Sequence, residues 1–204
     1  MQRNTLKKQE EINLKSNASR YIIYSFYSFK QSYTNYQEIV GRFENQVWDI
    51  VYFLTQQAEE FDKRNISKTF LYLDEDNQEI VGFFTLKIKG LLTEKLCLST
   101  ELLKKLSGGY ANNADTNILN FYLIGQLGVA KKYQGQKFGK QLLVTAIDLI
   151  CESQDNVGGR YILVDAIKDK RVLDFYKKFG FAELQNIESE ETITMIAPIK
   201  GFVF

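Results

Sequence analysis

The chain has 204 residues, enough for one domain with a proper core, and its 26 basic and 25 acidic residues leave a formal charge of +1. Such a balance gives no general attraction to nucleic acid or anionic membrane, so any basic surface must be local. With no histidine and only two cysteines, Cys97 and Cys151, the sequence excludes Ser-His and Cys-His nucleophile pairs, His-bearing zinc sites, four-thiolate metal sites and a disulfide framework. No metal is expected, and the cysteines read as reduced, largely buried thiols.

Residues 1–18 are polar and charged and read as an N-terminal extension, with a single domain over 19–204. The start lacks the apolar stretch of a signal peptide, and "YIIYSFYSF" (21–29) is too short to span a bilayer. The expectation is a soluble, cytoplasmic protein with no membrane contact. "SRYIIYSFYSFKQ" is rich in Ile, Tyr and Phe and predicts a strand. From Val47 to Phe61 the apolar residues fall at three- and four-residue steps, which predicts a helix with Asn45 as its cap. "KTFLYLD", "EDNQ" and "EIVGFFTLKIK" predict strand, turn and strand, with Asp74, Glu75 and Asp76 in a solvated turn rather than a metal site.

"STELLKKLSGG" predicts a short helix capped by Ser99 or Thr100 and closed by glycine. Residues 107–117 read as a loop, and the whole 99–117 segment as a substrate lid or an oligomer contact. "ILNFYLIGQLGVA" (118–130) is a nearly unbroken apolar run, as in a central strand. After "KKYQGQ" comes a helix from about Phe138 to Ser153, whose buried stripe is Leu142, Leu143, Ala146, Leu149 and Ile150. "RYILVDAI" predicts a further buried strand, "KRVLDFYKKFGF" a short helix ending at Gly180, and "AELQNI" with "ETITMIAPI" two closing strands. This order gives a mixed α/β (α+β) domain around one sheet.

Chemistry concentrates in "KKYQGQKFGKQLL" (131–143). A glycine-bearing turn between a central strand and a helix start presents amides with no intrahelical partner, at the positive end of the helix dipole. Gly135 and Gly139 permit close backbone approach, and Lys131, Lys132, Lys137 and Lys140 add charge. A phosphate cradle and an ordinary solvated turn both fit that stretch alone. It matches neither a P-loop nor a dinucleotide fingerprint.

With "ILVDAIKDKRVLDFYKKFGF", the stretch "IGQLGVAKKYQGQKFGKQLL" closely resembles the GNAT acetyltransferase superfamily. Members carry Gln/Arg-x-x-Gly-x-Gly/Ala after the fourth strand and an Asn-x-x-Ala-x-x-Phe-Tyr-like helix ending in Gly-Phe. Element order matches over roughly 45–197, and motif identity is confined to about 124–181. "EIVGFFTLKI", "LSTELLKKL" and "LIGQLGVAKKYQGQ" look like the branch that includes tRNA-acetylating toxins.

The resemblance implies a mostly antiparallel central sheet flanked by helices, with splayed fourth and fifth strands. It also implies an acetyl-CoA site, with pantetheine along Gln126, Leu127, Gly128 and Val129 and pyrophosphate over Gln134, Gly135, Gln136, Lys137, Phe138, Gly139 and Lys140. Lys137 replaces the first motif glycine. Asp169 stands where many members have Asn, and when ionised it accepts hydrogen bonds but does not donate them.

The implied reaction is direct attack of a primary amine on the thioester. Backbone N–H groups at Leu127–Val129 would stabilise the oxyanion, and Tyr176 would protonate the departing sulfur. Spacing alone reads Tyr176 equally as an aromatic packed beside Phe175 and Phe179, and Asp165 as facing either site or core. The general base is not identified. The acceptor is an amine of a small molecule, a protein or an aminoacyl-tRNA; local charge, as in "QQAEEFDKRN", does not favour tRNA. Monomer and homodimer both fit, and a weakly active or inactive GNAT-fold binding or regulatory module is the alternative function.

Overall fold

The computed structural model describes residues 20–96, 98–109, 118–184 and 189–201. The 1–18 extension, Cys97, most of the 107–117 loop and the end of "AELQNI" lie outside the described residues. The chain runs β1 (Tyr21–Ser25), α1 (Phe26–Ser32), α2 (Tyr36–Gly41), α3 (Trp48–Tyr52), a π-helical turn (Phe53–Gln57) and α4 (Ala58–Lys63). It continues with β2 (Lys68–Asp74), β3 (Glu79–Leu92), α5 (Thr100–Leu106), β4 (Ile118–Val129) and α6 (Phe138–Val157). The last elements are β5 (Tyr161–Ile167), α7 (Lys170–Lys177), β6 (Ala182–Glu183) and β7 (Thr192–Pro198).

The strands form one seven-stranded, mostly antiparallel sheet in the order β1-β2-β3-β4-β5-β7-β6, with β4 and β5 the parallel pair. This is the mixed α/β architecture expected. The parallel ladder joins Tyr122, Leu123 and Ile124 to Ile162, Leu163 and Val164 and stops there, although β4 runs on to Val129.

The Gln126 N–H donates to the buried Thr85 hydroxyl at 2.9 Å, and a Cβ on Gly125 would sit 2.9 Å from the same oxygen. Gly125 therefore admits Thr85, whose hydroxyl on β3 satisfies the Gln126 amide.

The chain divides into two compact units, one of residues up to Phe84 with Leu127–Leu142, the other of Thr85–Gln126 with Leu143 onwards. In the first, Phe26, Phe29, Ile39, Phe53, Leu54, Leu71 and Phe83 pack into one core with Tyr133 and Phe138. In the second, Leu96, Leu106, Phe121, Leu123, Tyr161, Leu163 and Leu184 form another. Among the described residues no helix is long and apolar enough to cross a membrane.

Several expectations are corrected. "SRYIIYSFYSFKQ" is not one strand: the Ser25 hydroxyl accepts from the Ser28 N–H and starts α1, whose Phe26 and Phe29 are buried. Capping and three-residue spacing override the β propensity of these aromatics. Asn45 is not a helix cap. Val47 holds that position without a side-chain bond, while Asn45 accepts from the Val47 N–H and donates to the Val129 carbonyl, each at 2.8 Å. The π turn shifts the phase of that helix, so Phe53, Leu54 and Ala58 are buried and Val47 is exposed.

Asp74 is not in a solvated turn. It ends β2 fully buried, bound by Arg20 through Nε at 2.9 Å and Nη2 at 2.6 Å. In α6, Ile147 rather than Leu149 completes the buried stripe. Ser99 is the α5 cap, accepting from the Leu102 N–H at 3.2 Å.

Candidate active site

In the first unit the end of β4 leads directly into the glycine-bearing loop. Ala130 N–H donates to Val81 O and Lys131 N–H to Glu44 O, both at 2.8 Å. Gly82 makes the approach of β4 possible: a Cβ there would lie 2.7 Å from Gly128 O and 2.7 Å from Leu142 Cδ1. A Cβ on Gly128 would meet Ile50 Cγ2 at 2.5 Å, so α3 packs directly on that backbone.

A 3-10 turn at Lys131–Tyr133 carries the chain into the loop, where Gly135 has φ +78° and Lys137 φ +68°. Two left-handed residues in three fold the backbone back before α6 starts. The amides of Gly135, Gln136, Lys137, Phe138 and Gly139 have no backbone acceptor among the described residues, whereas Lys140 and Gln141 both donate to Lys137 O. Five amides in the loop and first turn of a 20-residue helix are thus left without a backbone acceptor among the described residues. Lys131, Lys137 and Lys140 are exposed and make no ion pair with described residues, whereas Lys132 binds Glu79 at 2.6 Å.

The loop is tied down from below by Tyr133, which sequence reasoning missed. Its ring is buried, and its hydroxyl donates to Asp74 Oδ2 at 3.0 Å and Glu79 Oε2 at 2.8 Å. Burial and these two carboxylates push the Tyr133 phenol above its ordinary range. Arg20 holds Asp74 well below the usual carboxylate range, and Lys132 with Tyr133 lowers Glu79. Phe138 packs its ring against Tyr21, Tyr72 and Tyr133 at centroid distances of 5.0–5.9 Å. Its side chain is thus core. Gln134 donates to Val129 O at 3.2 Å, beside the Asn45 bond to the same oxygen.

An open cavity of about 430 Å³ adjoins this segment, lined by Phe43, Glu44, Asn45, Gln46, Trp48, Val51 and Lys131. No sequence signal pointed to it. At its rim Trp48 and Tyr52 stack at 4.6 Å with an interplanar angle of 18°.

In the second unit, Gln126 is the strand residue whose amide Thr85 holds. Asp169 is the N-cap of α7, accepting from the Arg171 N–H at 2.8 Å and the Val172 N–H at 3.3 Å. Arg171, by its side chain and its amide, holds the Asp169 carboxyl below its ordinary value. Capping needs acceptors only, so Asp serves here as well as Asn.

Tyr176 is buried against Phe175 and Phe181, and its hydroxyl makes no hydrogen bond with the described residues. Burial pushes its pKa up to about 12, so it stays a protonated donor through neutral pH. Asp165 is half-buried and doubly engaged, accepting from Lys89 at 2.7 Å and Thr194 at 2.8 Å.

A model of the acetyltransferase (GNAT) domain matches residues 67–183. Among solved structures, the toxin AtaT complexed with acetyl-methionyl-tRNAfMet aligns with TM-score 0.67 and 19% identity, over 88% of this chain and 95% of that one. A tyrosine-to-phenylalanine mutant of KacT gives TM-score 0.68 and 16% identity, over 89% and 96%. A tyrosine-to-phenylalanine mutant of AtaT bound to acetyl-CoA and the C-terminus of the antitoxin AtaR gives 0.63 and 16%, over 89% and 95%. At these identities the alignments establish the fold.

Proposed function

The chain belongs to the GNAT acetyltransferase family, and within that acetyl-CoA-dependent activity we propose that it acetylates the α-amino group of an aminoacyl-tRNA. The amides of Gly135–Gly139, with Lys137 and Lys140, hold the CoA pyrophosphate. The backbone of Gln126–Val129 takes the pantetheine arm, and Asp169 supports the cofactor side by fixing the start of α7. The acceptor amine, neutral at physiological pH when it belongs to an aminoacyl ester, attacks the thioester carbonyl. Charge on the resulting oxyanion is met by N–H groups at Leu127–Val129. Collapse expels the CoA thiolate, which takes a proton from Tyr176, while the proton lost by the amine passes to solvent through water. Asp165 is given no part as base, because both its oxygens are bound by Lys89 and Thr194.

The observation that carries the chemistry is Tyr176: a buried phenol, protonated at neutral pH, with a hydroxyl that no described residue engages. The acceptor class rests on the fold shared with AtaT, whose solved complex contains acetyl-methionyl-tRNAfMet. It stands against the near-zero net charge, which asks for a small RNA contact rather than a broad basic face.

The test is steady-state acetyl transfer from acetyl-CoA to charged tRNA, small amines and peptides, for wild type and Tyr176→Phe. The variant is expected to lose at least about tenfold in kcat, near 1.4 kcal/mol of barrier, with acetyl-CoA affinity nearly unchanged. Unaltered turnover removes Tyr176 as the acid. Transfer to amines or peptides but to no charged tRNA removes the acceptor assignment.

A further inference from the structure

Trp48 is two-thirds exposed, at 67%, and Tyr52 is 40% exposed, yet the two rings are stacked nearly parallel across one turn of helix. Their stacking at i,i+4 lends the helix some stability, but the indole has no ring partner among the described residues besides Tyr52. Tyr52 covers one face of the indole and fixes its orientation, leaving a flat π surface presented outward. Beneath it lies the cavity of about 430 Å³, within the size range of small-molecule sites.

The cavity is fastened to the acyl-transfer strand. Asn45 in its wall donates to Val129 O, and Glu44 O accepts from Lys131 N–H, both at 2.8 Å. Val129 follows Gly128, a candidate oxyanion donor. The rim carries both charge signs: the Lys131 ammonium and the Glu44 carboxylate are exposed, and neither has an ion-pair partner among the described residues.

We propose that Trp48, backed by Tyr52, is the stacking platform for the 3′-terminal nucleobase of the RNA acceptor, with that nucleoside seated at the cavity mouth. This rests on the aminoacyl-tRNA reading above. Bases stack on aromatic faces whatever their sequence. Lys131 takes the adjacent phosphate, and Glu44 accepts from an exocyclic amino group of the base. An apolar peptide side chain would instead call for a closed apolar pocket without this charged rim. A terminal base held here leaves its aminoacyl ester beside the end of β4. It also reconciles RNA recognition with a net charge of +1, since stacking replaces much of what a basic surface would supply.

Trp48 is the only tryptophan in the chain, so its fluorescence reports on the platform without a label. The experiment titrates wild-type protein, with no acetyl-CoA present, with an uncharged RNA oligonucleotide ending in CCA-3′ and with one abasic at its last position. Saturable quenching by the first, at least tenfold weaker with the second, is the expected result. In transfer assays Trp48→Ala should raise the KM for charged tRNA at least tenfold with acetyl-CoA affinity intact, and Trp48→Phe should recover most of that loss.

Equal quenching by both oligonucleotides, or none by either, overturns the proposal whatever the acceptor proves to be. Quenching by a peptide amine with none by RNA overturns it in favour of a protein acceptor. Failure of the aminoacyl-tRNA reading shows separately, as wild-type protein that transfers acetyl to no charged tRNA. Wild-type transfer together with an unchanged KM in Trp48→Ala sinks the platform alone.

Discussion

Lys137 offers a direct test of the loop geometry, because it is a non-glycine residue held at φ +68° where the family motif has glycine. A side chain in the left-handed region costs about 1–2 kcal/mol relative to its preferred conformations. Glycine at the same place avoids that cost but gives up roughly 0.5–1 kcal/mol through the greater freedom of the unfolded chain. The informative comparison is Lys137→Gly with Lys137→Ala, since both remove the same exposed charge and differ only in tolerance of positive φ. The glycine variant should be the more stable by about 0.5–1 kcal/mol, which for a chain of this size is about 1–4 °C in Tm. Thermal unfolding and acetyl-CoA titration check it. Both variants should lose a few-fold in affinity at low salt, as expected for about 0.2–1 kcal/mol from one exposed charge, and less at high salt. The glycine variant, with its amides still in place, should bind at least as well as the alanine one. An alanine variant as stable as the glycine variant would refute the left-handed assignment, and with it the argument that this fold of the loop aims the amides.

Tyr133→Phe should raise the KM for acetyl-CoA severalfold while leaving kcat within about twofold. It removes the hydroxyl that ties the loop to Asp74 and Glu79, while Arg20, Asn77 and Lys132 still serve those carboxylates, a loss of about 0.5–1.5 kcal/mol in denaturant unfolding. Asp74 predicts an acid limb in stability. Its folded pKa is depressed by Arg20, so the stabilisation is complete above the unfolded value of about 4 and is lost as pH falls through the lower folded value. Melts of Asp74→Asn should be lower than wild type at pH 7 and flatter with pH below about 4; parallel curves would remove Asp74 from the acid transition. Gly82→Ala should cost about 2 kcal/mol and lower kcat, because its methyl meets the Gly128 carbonyl and Leu142 at 2.7 Å. A variant as stable and active as wild type would show that β4 has room to shift.

Sequence carried the parts of this site that depend on backbone and on local order. The turn at Gly135 and the start of α6 at Phe138 were legible because a strand-to-helix turn of this kind takes a residue of positive φ shortly before the helix. The short helix that carries Phe175 and Tyr176 ahead of Gly180 was legible from its apolar spacing and its closing glycine. What was not legible depends on pairings between residues far apart in the chain. Nothing near Thr85 announces that its hydroxyl will take the Gln126 amide 41 positions on. Asp74 stood in an acidic cluster that reads as solvated, and Arg20, 54 residues earlier, with Tyr133, 59 residues later, makes its burial tolerable. In the N-terminal region, aromatic residues serve strands and helix faces equally well, and the decision fell to one hydroxyl, Ser25.

These pairings, long-range and local, share a direction: they settle where backbone groups of β4 and the loop can and cannot be used. Thr85 consumes the Gln126 amide, Asn45 and Gln134 consume the Val129 carbonyl, and Lys137 O consumes the amides of Lys140 and Gln141. The amides from Gly135 to Gly139 are left, in a loop that Tyr133 and Phe138 root in the first core. Preorganised amides need no proton exchange and no particular side chain to stabilise an anion. A chain without histidine can therefore place almost all of its catalytic electrostatics in the main chain. In the proposed reaction that leaves a titratable side chain one task, delivery of a proton to the departing sulfur, and Tyr176, buried and with a hydroxyl that no described residue engages, is the residue proposed for it.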